Sequence, residues 1–376
     1  MKPNDLSPRD LAPPNVRAIA PYVPGKPIAE TARELGIPED RILKMASNEN
    51  PLGPSPKAIA AVREALGELN YYPDGSGYEL KRALAKRLSV SPWNIVLGNG
   101  SNDVLELAGR AFLRPGDSAV YSQHAFMVYP LVVQAIGATG IEVPALAFGN
   151  DLPALARAVR ADTRMVFLAN PNNPTGTFSP WGEIEAFASR LPAGVLLVLD
   201  EAYGEYLPDD LVSPTPGWLG RYPNLVVSRT LSKAYGLAGL RVGYGLAHPE
   251  VAEIMNRVRQ PFNVNHLALV AACAALGDHE FISRSRDVNA AGLAQLAKGF
   301  DRLGLEHIPS RANFITVRIG PHAREVYEAL LRAGVIVRPI AGYGLPEHLR
   351  VTVGLPEHNE RFLAALAAAL AARQKS

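Results

Sequence analysis

The sequence predicts an α/β protein, with a large domain on a mostly parallel sheet flanked by helices and then a smaller α+β domain. Three features carry this expectation. Short apolar runs recur through the middle of the chain at SAVYS, GIEVPA, RMVFLAN, GVLLVLDEA, NLVVSRT and LRVGYGLA. Runs of Val and Leu without polar alternation read as strands buried on both faces. Helical stretches such as DLPALARAVR and WGEIEAFASRL fall between them, the alternation of a sheet covered on both sides. Beyond about residue 262 the strands thin out, and NHLALVAACAAL and DVNAAGLAQLAKGFDRL precede NFITVRI, VIVRPI and LRVTVGL. A chain of 376 residues is long enough for two packed domains.

Taken in order, residues 1–46 form a Pro-rich arm and then a short helix, ETARELGI, expected to join the small domain. The large domain is expected over 47–262 and the small one over 263–376. Within the former, the turn cluster NENPLGPSP leads into the helix KAIAAVREALGEL, and NYYPDGSG into ELKRALAKRL. NIVLGNG then reads as a strand running into a Gly turn, followed by the helix DVLELAGRAFL.

Composition excludes several classes of function. Lys+Arg is 38 against Asp+Glu 36, a net charge of +2. No bulk field gathers nucleic acid or an anionic membrane, so any anion site is built locally. The single cysteine, Cys273, lies in an apolar stretch and rules out a disulfide framework. The eight His are scattered without ligand-like spacing, and no metal is expected. The polar start MKPNDLSPRD lacks the apolar segment of a signal peptide, and no apolar run spans a bilayer. A cytoplasmic location is the expectation. Lysines are scarce, and Lys233 is the only one between Lys86 and Lys298. Arginine-biased codon usage explains the scarcity equally well.

Four segments carry chemistry. In LGNGSND, Gly100 admits close approach and the backbone N–H groups at Ser101 and Asn102 make an anion cradle, or else an ordinary helix start capped by Ser101 or Asn102. Asp103 stands where a dinucleotide fingerprint requires glycine. In NPNNPTG, Asn173 is a turn former or, at the carboxyl end of a parallel strand, a ligand. Asp200 ends the apolar strand VLLVLD, with Tyr203 three residues on. It is a salt-bridge partner or cap, or an acid set against a cationic ring nitrogen. Lys233 follows a strand among Ser228, Thr230 and Ser232 and precedes a small-residue run ending at Arg241. Such apolar flanks suit a lysine of lowered pKa acting as a Schiff-base nucleophile. Amine, carboxylate, neutral donors and an anion cradle are the set that pyridoxal phosphate needs.

With these residues in place the chain closely resembles fold-type I pyridoxal-phosphate aminotransferases, and among them the histidinol-phosphate aminotransferase subgroup. NENPLGPSP, YYPDGSG, LGNGSND, NPNNPTG, DEAY and RTLSKAYGLAGLRVG occur in the family's order, from PYVPGKPIAE to LRVTVGLPEHN. The resemblance implies that Lys233 is the Schiff-base lysine and proton shuttle, and that Asp200 holds the pyridine nitrogen protonated. Tyr203 and Asn173 would bind the phenolic oxygen. Thr230, Ser232, Arg241 and the Gly100–Asn102 turn would bind the phosphate, with Tyr72 reaching it from the other subunit of a homodimer. Phe126, in SQHAFMVY, matches the aromatic residue that stacks on the ring, and His124 replaces the usual proline. Tyr22, Asn50, Arg338 and Arg350 match substrate-binding positions.

The activity so implied is transamination between L-histidinol phosphate and 2-oxoglutarate, giving imidazole-acetol phosphate and L-glutamate, in histidine biosynthesis. An aromatic-amino-acid aminotransferase shares the same site. A threonine-phosphate decarboxylase and a non-catalytic cofactor-binding regulator are the rivals of other classes. The second has no support here from an appended helix-turn-helix module or a basic patch.

Overall fold

The computed structural model describes residues 7–22 and 25–374, so the first six residues of MKPNDLSPRD and Val23–Pro24 of PYVPGKPIAE lie outside the described residues. The chain opens with α1 (Pro14–Arg17), α2 (Ile28–Leu35) and β1 (Leu43–Lys44), then α3 (Pro56–Ala65) and α4 (Tyr78–Leu88). Next come β2 (Ile95–Gly98), α5 (Ser101–Phe112), β3 (Ser118–Ser122), α6 (Val128–Ile136), β4 (Thr139–Val143) and α7 (Leu152–Arg157). They are followed by β5 (Thr163–Ala169), α8 (Trp181–Ala188), β6 (Leu196–Asp200), β7 (Leu225–Thr230) and β8 (Gly243–Ala247). Helices α9 (Pro249–Val258), α10 (His266–Leu276) and α11 (His279–Arg302) lead to β9 (His307–Ile308), β10 (Phe314–Arg318) and α12 (Ala323–Arg332). The chain finishes with β11 (Val335–Ile336), β12 (Arg338–Pro339), β13 (His348–Thr352) and α13 (Pro356–Gln374).

The central sheet has seven strands in the order β2-β8-β7-β6-β5-β3-β4. Strands β3 to β7 pair in parallel, and β8 alone runs against its neighbours β2 and β7. Successive residues of each apolar run feed opposite faces. Val166, Leu168, Leu197 and Leu199 enter one core, whereas Met165, Phe167, Leu196 and Val198 enter the other. A strand with helices on both sides has no face left for polar residues, which is why these runs do not alternate.

The second unit is a four-stranded antiparallel sheet, β12-β13-β10-β9. Its core includes Leu296, Phe300, Val317, Leu349 and Phe362. Leu43 and Met45 belong to the same core, and β1 pairs in parallel with β11.

The packing divides the chain later than residue 262. Helix α10 contributes Ala268, Leu269, Ala271, Ala272 and Ala275 to the core of the large unit and packs on α3 and α4. The Ser55 hydroxyl, which accepts from the Ala58 amide at the start of α3, also donates to Asp278 at 2.6 Å. Helix α11, 24 residues long, places Phe281 and Ile282 in the large core and Leu296 and Phe300 in the small one. We place the division within α11.

Candidate active site

The carboxyl ends of the parallel strands share one edge of the sheet. Asp200 ends β6, Thr230 ends β7, and the loop carrying Asn173 follows β5. Because β2 and β7 both run against β8, the end of β2 with Gly100 reaches the same edge. Reversal of β8 puts its beginning there too, with Arg241 just ahead of it. Strand polarity alone thus gathers residues scattered over more than a hundred positions of chain, and Ser101, Phe126, Asn173, Asp200, Lys233 and Arg350 line one cavity.

Asp200 is 5% exposed, and its Oδ2 accepts from the Tyr129 hydroxyl at 2.9 Å while Oδ1 accepts from the Ala202 amide at 3.1 Å. Burial pushes its carboxyl up to about 6, against the lowering effect of those two donors. It has no salt-bridge partner among the described residues. Such a carboxylate is stabilised by a cation placed in the cavity. The Lys233 amine donates to the Ser47 carbonyl at 3.1 Å. Burial, aided by the neighbouring charges of Arg350 and Arg241, lowers it to about 8. The Tyr203 hydroxyl accepts from Asn48 Nδ2 at 2.9 Å, and burial raises its phenol well above the ordinary value.

The anion cradle is built from backbone. Helix α5 begins at Ser101 with Gly100 as its N-cap residue and no side-chain cap, so neither Ser101 nor Asn102 plugs the helix end. Asp103 instead turns away, accepting from the Asn99 amide at 2.8 Å and from Asn263 Nδ2 at 2.7 Å. Gly100 has φ +82°, and a Cβ there would strike the Arg241 guanidinium. At Gly243 a Cβ would lie 2.6 Å from the Ser101 amide nitrogen. Both glycines let Arg241 and the first turn of α5 close on one space. Arg241 Nη1 donates to the Ser232 hydroxyl at 3.3 Å, and Thr230 Oγ1 accepts from the Ser232 amide at 3.1 Å. Uncapped N–H groups, a hydroxyl pair and a guanidinium are a phosphate-binding donor set. Together with a buried carboxylate and a lysine of lowered pKa, they fit pyridoxal phosphate.

Across the cavity, β12 and β13 bring Arg338 opposite Arg350. The Arg338 guanidinium lies 5.6 Å from the centre of the Tyr22 ring. Arg350 is 6% exposed and donates from Nη2 to the Ala46 carbonyl at 2.9 Å. Phe126 stands edge-on to Tyr129, ring centres 5.9 Å apart.

Two of the sequence-derived residues lie elsewhere. Asn50, expected at the substrate, is outside the cavity wall, and its Nδ2 donates to the Ala234 carbonyl and to Ser285 Oγ. Its Oδ1 accepts from the Leu52 amide, which closes the turn. Asn48, two residues earlier, faces the site instead. Tyr72 is 83% exposed, stacks on Phe262 with ring centres 4.8 Å apart, and is absent from the cavity of its own chain. Sequence reasoning missed Asn48 and Tyr129. The repeated Asn of NENP and the Tyr three residues after Phe126 were the available signals.

The chain matches the family model for aminotransferase class I and II over residues 40–366. It is 60% identical to histidinol-phosphate aminotransferase 1 of Thiobacillus denitrificans, over 96% of this chain and 94% of that one. It is 58% identical to histidinol-phosphate aminotransferase 2 of Nitrosospira multiformis, over 96% and 92%. Among solved structures it superposes on histidinol-phosphate aminotransferase from Sinorhizobium meliloti in complex with pyridoxal-5'-phosphate. That match has a TM-score of 0.89 at 31% identity, covering 96% of this chain and 97% of that one. An aspartate aminotransferase single mutant from Thermus thermophilus gives 0.82 at 26% identity, over 95% and 99%.

Proposed function

The chain belongs to the class I and II aminotransferase family, and on that premise we propose that it is a pyridoxal-phosphate enzyme exchanging the amino group between L-histidinol phosphate and 2-oxoglutarate. The products are imidazole-acetol phosphate and L-glutamate, a step of histidine biosynthesis. The observation that carries this reading is the pairing of two arginines, Arg338 and Arg350, opposite a cavity that holds Lys233, Asp200 and the cradle of α5. Relatives at 58% and 60% identity bear that enzyme's name.

Bound in this cavity, pyridoxal phosphate supplies an aldehyde for the substrate's amino group and a ring that takes up electrons from its Cα. The protein residues do the rest. Ser101, Asn102, Thr230, Ser232 and Arg241 hold the phosphate. Asp200, itself held by Tyr129, keeps a proton on the pyridine nitrogen, while Tyr203 and Asn173 donate to the phenolic oxygen. Phe126 covers one ring face, for which a phenyl group suffices. Lys233 Nζ would take the proton from the substrate Cα and pass it to the cofactor within the same half-reaction. Arg338 and Arg350 take the substrate's anionic groups as guanidinium forks, with Tyr22 against Arg338.

The same reading makes the enzyme a homodimer with Tyr72 directed to the partner's phosphate. The exposed Leu69, Tyr71, Tyr72 and Phe262 support it, since large apolar side chains left in water suit an interaction surface. A cytoplasmic location fits, as no helix among the described residues is long and apolar enough to cross a membrane.

Comparing kcat/KM for histidinol phosphate and for phenylalanine tests the substrate. A clear preference for histidinol phosphate is expected. A preference for phenylalanine assigns the chain to aromatic-amino-acid transamination, and carbon dioxide release without a 2-oxo acid assigns it to decarboxylation.

A further inference from the structure

We propose that His124 is a positioning residue, a latch that ties the substrate arginines' domain to the wall on which Phe126 stands. The proposal rests on the roles given above to Phe126, Arg338 and Arg350, and transamination itself leaves His124 unused. Its ring Nδ1 meets the Tyr343 carbonyl at 2.5 Å. A carbonyl only accepts, so Nδ1 carries the proton. The His124 carbonyl in turn accepts from Asn172 Nδ2 at 3.2 Å, next to Asn173. Beside it, Met127 packs on the cluster of Ile340, Tyr343 and Leu345. One loop thus touches both the stacking residue, two positions on, and the segment that follows Arg338 by two positions.

Proline at this position would give none of this. His124 has φ +57°, whereas proline is confined near −65° and offers no ring donor. The left-handed turn is what swings the imidazole across the cavity rim. Since Arg338 pairs with Arg350 in the same small sheet, an anion drawn onto the arginines is felt at Tyr343 and, through His124, at Phe126.

Two substitutions separate the hydrogen bond from the backbone turn. Both Asn and Gly adopt positive φ readily, but only His124→Asn keeps a side-chain donor near the Nδ1 position. With His124→Gly, KM for 2-oxoglutarate and for histidinol phosphate should each rise about tenfold, the value of one well-made hydrogen bond, with kcat little changed. His124→Asn should restore KM, and the visible absorbance of the bound cofactor should be unaltered in both. Equal KM values for the two variants overturn the proposal. If the substituted chains fail to fold, hydrogen exchange on the unmodified holoenzyme decides. When 2-oxoglutarate is added to the pyridoxal-loaded form, where it does not react, residues 124–127 and 340–344 must gain protection together. Protection of one segment alone also overturns it. An unmodified enzyme inert toward histidinol phosphate defeats the substrate assignment instead and leaves this exchange result standing.

Discussion

Arg350 and Asn173 meet across the two domains, the Arg350 Nη1 donating to Asn173 Oδ1 at 2.5 Å. The Phe314 ring lies 5.1 Å from the same guanidinium, and its Nε is buried with no hydrogen-bond partner among the described residues. An unpaired N–H on a buried guanidinium is costly until an acceptor reaches it. The guanidinium proposed to take the substrate's anion is therefore already touching an amide proposed to serve the cofactor.

Replacing the fork while keeping the charge tests this arrangement. Arg350→Lys should lower kcat/KM for 2-oxoglutarate about 100-fold, mainly through KM, because an ammonium does not reproduce the two-pronged contact. Cofactor content, read from the visible spectrum, should stay at that of the unmodified enzyme. Unchanged KM would place the substrate's anion elsewhere.

The Lys233 amine lies near 8, and its neutral form is the nucleophile. In apoprotein mixed with pyridoxal phosphate, the rate of cofactor capture should climb as pH rises, reach half its maximum at about pH 8 and level off above it. Stopped-flow absorbance across that range reads it. A rate still climbing toward pH of about 10 would assign the lysine an ordinary pKa.

Asp200 sets cofactor chemistry against the stability of the apoprotein. Its folded value of about 6 exceeds the ordinary 3.8, so the folded apoprotein holds a proton that the unfolded chain releases. Stability from this group is full below about pH 4 and falls as pH rises toward about 6. Asp200→Asn should therefore stabilise the apoprotein at neutral pH by about 1–2 kcal/mol after loss of one acceptor, read as a higher melting temperature. In the loaded enzyme the same change should lower kcat by about 10³-fold, the scale of a lost proton-holding group. A lower melting temperature for the variant apoprotein would contradict the cause given for the shift.

Tyr72 offers a test of subunit sharing. Lys233→Ala and Tyr72→Ala chains should each be impaired as homodimers. Unfolded together and refolded as a mixture, they should regain activity, because one site of each mixed dimer has both an intact lysine and a tyrosine from its partner. Activity no greater than the sum of the separate chains would remove Tyr72 from the neighbouring site.

Much of this was legible in the sequence because strand runs and loop motifs are local. The buried runs announce strands by lacking alternation, and the residues at their ends fall on one edge once the order is parallel. What was not legible depends on turns and on packing between distant segments. Whether Asn48 or Asn50 faces the cavity is decided by φ +56° at Asn48, a conformation the pattern NEN does not reveal. The partner of Asp200 is Tyr129, 71 positions away, and no spacing rule links a strand end to the start of a distant helix. Helix α10 is apolar on nearly every side, so its sequence says that it is buried but not against which core. That ambiguity is what displaced the expected domain boundary.

Helix α11 has a thermodynamic consequence. About 36 Å long at 1.5 Å per residue, it starts in one core and ends in the other. Neither core can melt alone without fraying a continuous helix whose interruption is costly. The two units therefore share their cooperativity, and heating should produce a single heat-absorption peak whose calorimetric and van't Hoff enthalpies per chain agree more closely than those of two domains joined by a loose linker.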